Sequence, residues 1–276
     1  MNKTHTIIIQ GGLGNQLFQI FALMGYCIEN KCNYIFPKNM QIWDKYRHPY
    51  WDSFLCELNK NVKPNKLVDL FIEYIEPNYQ YNELPIFTGH TKLNGYFQSE
   101  LYFNTHFEKI CNILSIREKQ SNIKDKYIHY ENTISLHFRM GDFVNPHHHP
   151  IMSDSYYVNS LNHLIKKTNM EEWNVYYACE KEDDNVVLIR INNIKEKLKH
   201  LTFIKIPNEL EDWEQMLLMS CCSHNIIANS SFSWWSAYLN NNKEKIVCTP
   251  SIWFGPAKKS LNLKDLHPEE WVKIQV

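Results

Sequence analysis

Three features are missing from this sequence, and each absence removes a class of function. The first is net positive charge: 29 Lys and Arg stand against 30 Asp and Glu, leaving a formal charge of −1. A dedicated nucleic-acid binder normally carries a basic excess, so none is expected here. The balance still allows a local basic pocket for one anionic ligand. The second is any CxxC pair among the 8 cysteines (Cys27, Cys32, Cys56, Cys111, Cys179, Cys221, Cys222 and Cys248). Their scattered spacing fits reduced, mostly buried thiols in a reducing compartment. The third is a long apolar run. A membrane-spanning helix needs about 18 residues of it, and the amino-terminal MNKTHTIIIQGG offers a far shorter stretch. That stretch reads as a first strand, not as a signal peptide or anchor. The expectation is a soluble, cytoplasmic protein without internal repeats or low-complexity tracts.

Hydrophobic residues make up 44% of the 276 positions, enough for one large core or two modest ones. Aromatics are plentiful, with 8 Trp, 16 Tyr and 14 Phe, which suit sugar stacking but also fill cores. Strand and helix patterns alternate. Thr6 to Ile9 is a β-branched run, and Asn15 opens a helix with apolar Leu17, Phe18, Phe21, Met24 and Ile28 at helical spacing. Asn33 to Phe36 reads as the next strand, completing a βαβ unit. The middle, from about Asn39 to Tyr130, predicts short helices and loops, with Asn94 to Ser99 as a strand entering a loop. Polar residues from Asp125 to Asn132 suggest a domain boundary, dividing the chain into 1–130 and 131–276. The second half alternates again: strands at Thr133–Phe138, Asn174–Ala178, Leu201–Ile206, Asn225–Ala228 and Lys245–Cys248, and helices at Asp184–Lys199, Glu211–Cys221 and Phe232–Asn240. Glu269 to Ile274 reads as a closing segment. Two α/β halves facing a cleft fit this layout.

Three stretches carry candidate chemistry. Gly11-Gly12-Leu13-Gly14-Asn15-Gln16 lies between strand and helix, where glycines permit close backbone approach and a helix amino terminus favours an anion. A dinucleotide loop is the rival, but its third glycine position holds Leu17, and Ile35 to Lys38 supplies no acidic residue. A tight turn without ligand is the plainer reading. His137-Phe138-Arg139-Met140-Gly141-Asp142 follows a strand in which alternation puts Leu136 and Phe138 on one face and His137 and Arg139 on the other. An Arg at the carboxyl edge of a strand suits a diphosphate, and Asp142 could orient it, cap a turn or take a proton; a surface ion pair is the alternative. Asn229-Ser230-Ser231-Phe232-Ser233 joins another strand to a helix, forming either an anion cradle or an ordinary serine cap. Trp234, Trp235 and Tyr238 read as packing. His147, His148 and His149 lack zinc-ligand spacing and read as a loop. No Asp-x-Asp occurs, although enzymes that hold a divalent metal on a diphosphate commonly need such a pair. Here the charge would fall to Arg139 and backbone dipoles.

Read jointly, these blocks resemble glycosyltransferase family 11, the α-1,2-fucosyltransferases. The resemblance runs from Gly11 to Gln19, through Gly95-Tyr96-Phe97-Gln98-Ser99, His137-x-Arg139-x-Gly141-Asp142-Phe143, Asp212-Trp213-Glu214 with Leu217, Met219 and Ser220, and Asn225 to Leu239, to Pro250-Ser251-x-Trp253-Phe254-Gly255. It covers nearly the whole chain and implies a GT-B fold of two Rossmann-like domains, acceptor-side 1–130 and nucleotide-sugar-binding 131–276. It also implies a GDP-fucose donor, a glycan acceptor, no metal and inversion at the anomeric carbon. Carried over, Arg139 and Asp142 are catalytic candidates; Gly12, Gly14, Asn15, His137, Asn229, Ser231, Phe232 and Ser233 are donor-binding candidates. The family often has a second arginine where this chain has Met140. The resemblance leaves open another deoxysugar or linkage, such as L-rhamnosyl or protein O-fucosyl transfer, and a non-catalytic glycan- or nucleotide-binding role.

Overall fold

The computed structural model describes residues 3–39, 48–140 and 148–276. They form two compact units, residues 1–118 with 261–268 and residues 119–260 with 269–276. The sequence suggested a division at 130/131 instead. Polar residues misled there, because Ile116–Tyr127 is a helix. Its buried Gln120 donates from Nε2 to the Ser220 hydroxyl (2.7 Å) and the Leu239 carbonyl (3.0 Å), which ties that half of the helix to the second unit.

The first unit opens with β1 (Thr4–Ile7), α1 (Leu13–Glu29), β2 (Asn33–Tyr34) and β3 (Phe36–Pro37). It continues with β4 (Val62–Lys63), α2 (Asn65–Val68), β5 (Ile72–Ile75), β6 (Thr91–Asn94) and α3 (Phe107–Ile113); α4 (Ile116–Tyr127) crosses the division. A four-stranded parallel sheet has the order β2-β1-β6-β5, and β3 pairs with β4 separately. The expected strand Asn33–Phe36 is therefore two strands. Ile35 N–H still donates to the His5 carbonyl at 3.0 Å, and Phe36 then turns to pair with Val62. The expected strand Asn94–Ser99 is a correction too: the strand ends at Asn94, and Phe97 takes φ +51°, which breaks an extended run. α1 is buried over most of its surface, from Leu13 to Cys27.

The second unit holds β7 (Thr133–His137), α5 (Asp154–Thr168), β8 (Asn174–Ala178), α6 (Asp184–Lys197) and β9 (Thr202–Lys205). Then follow α7 (Asp212–Ser220), β10 (His224–Ile226), α8 (Ser231–Tyr238), β11 (Val247–Pro250) and β12 (Val272–Ile274). Six parallel strands run β12-β11-β10-β7-β8-β9. β7 sits inside the sheet and is buried throughout, as parallel strands covered on both faces are. Ile134, Leu136 and Phe138 join Tyr156, Tyr157, Leu161 and Val175 in one apolar core. α5, which sequence reading left unassigned, starts at Ser153, whose hydroxyl accepts from Tyr156 N–H at 3.2 Å. All 8 cysteines are free thiols. Among the described residues no helix is long and apolar enough to cross a membrane.

Candidate active site

In an open parallel sheet the carboxyl ends of the strands, with the loops that follow them, are the ligand-binding edge. In the second unit this edge gathers the segments after β7, β8, β9, β10 and β11. Because Leu136 and Phe138 face the apolar core, His137 faces the opposite side, where its ring meets Phe232 in the first turn of α8 at 5.2 Å. Two sequence-predicted segments thus stand side by side. His137 is buried, and its Nδ1 has no partner among the described residues. Burial pushes its pKa down to about 3, aided by the charges of Arg139 and Lys205, so the ring is neutral. Its backbone carbonyl accepts from the Tyr157 hydroxyl at 3.0 Å.

Arg139 lies just beyond β7 and is only 17% exposed; its Nη1 pairs with the Glu180 carboxylate, just beyond β8. Lys205, at the end of β9, pairs with Asp184 at 2.9 Å and donates to the Cys179 sulfur at 3.1 Å. Burial raises the Cys179 thiol to about 12, so it stays protonated. Arg190, on α6, meets Asp154 at 2.6 Å and Met140 sulfur at 3.1 Å, with its guanidinium over the Phe138 and Tyr157 rings. That pattern braces the segment carrying Arg139. Asp142 and Gly141 lie outside the described residues.

The turn from β10 into α8 departs in part from the expected cradle. Ser231 and Phe232 begin the helix, whose first-turn N–H groups have no intrahelical acceptor. Ser233 is different: its hydroxyl donates back to the Ala228 and Ser230 carbonyls, each at 3.2 Å, and is fully buried. Its hydroxyl therefore braces the turn. Asn229 also points inward, with Nδ2 donating to the Pro150 and Trp253 carbonyls at 3.0 Å each. Its side chain staples two loops together. Trp234 and Trp235 are fully buried packing residues.

In the first unit, Gly12 caps α1 in an extended conformation, and Gly14 is buried in its first turn. The conformational demand falls on Gly11, at φ +79°; a Cβ there would also lie 2.5 Å from Asn15 Nδ2. Gln19, buried in α1, grips the loop by accepting from Gln10 N–H at 3.0 Å and donating to its carbonyl at 3.3 Å. Gln16 Nε2 donates to the Gly11 carbonyl at 3.1 Å.

Sequence reasoning missed what orients Asn15. Gln98 Nε2 donates to Asn15 Oδ1 at 2.7 Å, while Gln98 Oε1 accepts from the Tyr79 hydroxyl. That leaves Asn15 Nδ2, a donor, without a partner among the described residues. The Gly95–Ser99 loop bearing Gln98 is pinned by Glu76, whose carboxylate accepts from Tyr96 N–H at 2.7 Å and from Phe97 N–H at 3.1 Å. A Cβ at Gly95 would meet Glu76 Cβ at 2.4 Å. The signal in the sequence was the block Gly95-Tyr96-Phe97-Gln98-Ser99 itself, with no hint of its partner. Among the described residues no group of three or more His, Cys, Asp or Glu is placed to hold a metal ion.

The chain is 32% identical over 194 residues to the Escherichia coli Alpha-1,2-colitosyltransferase, covering 68% of this chain and 63% of that protein. It is 30% identical over 201 residues to the O-antigen biosynthesis glycosyltransferase WbnK of Escherichia coli, covering 66% of this chain and 60% of that one. The alignments thus span less than two thirds of each relative's length. In structure it is similar to a mutant of Arabidopsis thaliana FUT1 in complex with GDP, with TM-score 0.53 and 10% identity over 99% of this chain and 76% of that one. Escherichia coli ADP-heptose lps heptosyltransferase II gives TM-score 0.53 and 10% identity over 99% of this chain and 90% of that one. At such identity these two speak for the fold alone, which is of the GT-B type. The profile of Glycosyl transferase family 11 matches residues 2–275, and the chain belongs to that family.

Proposed function

We propose that this chain transfers L-fucose from GDP-fucose to a glycan hydroxyl, with inversion and without a metal ion. The acceptor in this reading is the 2-hydroxyl of a terminal galactoside. The second unit takes the nucleotide sugar, and the first serves the acceptor side; Asn15 and the Gly11–Gly14 turn stay donor-binding candidates. The observation that carries the reading is the contact of His137 with Phe232, which brings the Arg139 segment beside the amino terminus of α8. A guanidinium and a helix amino terminus at one sheet edge suit a pyrophosphate.

The acceptor oxygen forms a bond to the anomeric carbon as the bond to the β-phosphate oxygen breaks. The electron pair leaves with GDP, and the hydroxyl proton passes to a base or to solvent. Negative charge grows on the phosphate oxygens as the sugar gains oxocarbenium character. Arg139 and the first-turn N–H groups of α8 meet that charge, and one such preorganised donor contributes about 2.7–4 kcal/mol. Neutral His137 faces the nucleoside. Asp142 remains the candidate base. His149 Nε2 is already engaged by the Lys258 ammonium at 3.3 Å, which weakens it for that role.

A second reading, with colitose as the transferred sugar, is favoured by the Alpha-1,2-colitosyltransferase relative. A panel of nucleotide sugars, assayed for hydrolysis and transfer in chelator, separates the two. R139A should lose roughly 100- to 1,000-fold in kcat and remain folded. Near-normal turnover by folded R139A would remove the assigned role.

A further inference from the structure

Two motifs have no part in the reaction so far: the histidine run and Pro250-Ser251-x-Trp253-Phe254-Gly255. The structure joins them. Gly255 N–H donates to the His148 carbonyl at 2.9 Å, and the His149 ring stands edge-on to Phe254 at 5.3 Å. Lys258, in the short helical turn that follows, places its ammonium 4.6 Å from the Phe254 ring centroid and 3.3 Å from His149 Nε2. Asn229 staples this pair of loops through the Pro150 and Trp253 carbonyls, one residue before the cap of α8. Lys258 therefore belongs to the loop after β11, on the same carboxyl edge as Arg139.

Charge separates Lys258 from Arg139 and Lys205 on that edge. Arg139 is paired with Glu180, and Lys205 with Asp184. Lys258 has an aromatic face and an imidazole as its neighbours and no carboxylate among the described residues. Burial lowers its pKa from the usual lysine value, the mark of an ammonium short of compensation. Such a group is stabilised by an incoming anion.

We propose that Lys258, steadied by Phe254 and His149, is a second cationic contact to the diphosphate of the nucleotide sugar. The proposal rests on the functional reading above and adds a residue to it. Asn229 is then a positioning residue, holding the Lys258 loop to the start of α8.

The test is calorimetry on the full chain and its K258A and K258R variants, with GDP, GMP and guanosine as probes. One charge-assisted contact predicts that K258A binds GDP roughly 10- to 100-fold more weakly. Guanosine affinity and the thermal midpoint should be unchanged, and K258R should recover most of the GDP affinity. The loss should also shrink at high salt. K258A binding GDP as the parent does would overturn the proposal and leave the functional reading standing. Equal losses for GDP and guanosine would assign Lys258 a purely structural role and overturn it as well. A parent chain with no affinity for GDP would overturn both.

Discussion

Replacing Gln98 with glutamate keeps the size of the side chain and reverses one hydrogen bond. In the native chain Gln98 Nε2 donates to Asn15 Oδ1 at 2.7 Å, which fixes Asn15 with its Nδ2 as the outward donor. The Q98E carboxylate can only accept. Two oxygens would then oppose each other, and the least costly relief is a turn of the Asn15 amide that offers Nδ2 to the carboxylate. Asn15 would present a carbonyl oxygen where it had presented a donor. The Tyr79 hydroxyl can still donate to residue 98, so its bond survives. If Asn15 contacts the donor nucleotide, losing that hydrogen-bond donor costs about 1.5–3 kcal/mol, or roughly 10- to 100-fold in GDP affinity. The carboxylate itself adds repulsion. The assay is calorimetric titration of GDP into Q98E, N15A and the double variant. If Gln98 acts through Asn15, the double variant should bind no worse than the poorer single one. Additive losses would refute the relay, as would native GDP affinity in Q98E.

Two further outcomes test the second unit. N229A removes both donors to the Pro150 and Trp253 carbonyls and should lower stability by roughly 2–3 kcal/mol in urea unfolding; an unchanged midpoint would sink the staple. The second concerns acid. The folded pKa of His137, about 3, lies below its ordinary value of 6.5, so the unfolded chain binds the extra proton as pH falls through that window. Stability from this group is complete above pH 6.5 and is lost toward pH 3. At a pH of about 4.5 the loss is roughly 3 kcal/mol. H137Q should show a shallower fall than the parent between neutral and acid urea titrations, with His5, pushed by burial to about 4, acting alike in both. Parallel curves would contradict the buried neutral ring.

What the sequence made legible follows from local chemistry. The strand–glycine–helix start at Gly11, the alternation that sends His137 away from the core, and the packing role of Trp234 and Trp235 all depend on near neighbours. What stayed hidden depends on partners far along the chain. The polar text of Ile116–Tyr127 conceals a buried Gln120 whose acceptors lie about Ser220 and Leu239. Ser233 and Asn229 read as an anion cradle because serine and asparagine at a helix start usually cap or bind. Only the fold reveals that the Ser233 hydroxyl and Asn229 Nδ2 face the Ala228, Ser230, Pro150 and Trp253 carbonyls. Asn15 was visible as a candidate, yet its orientation is set by Gln98, 83 residues away. Lys258 gave no signal at all, since an uncompensated cation is defined by what surrounds it.

In the proposed reaction, protein groups alone meet the charge of a departing nucleoside diphosphate. Titrating GDP into the chain by calorimetry, first in chelator and then with added magnesium, addresses it most directly. The expected result is one site per chain, with the same Kd in both conditions and a much weaker one in R139A. Binding that appears only when magnesium is added, or that R139A retains in full, would contradict it.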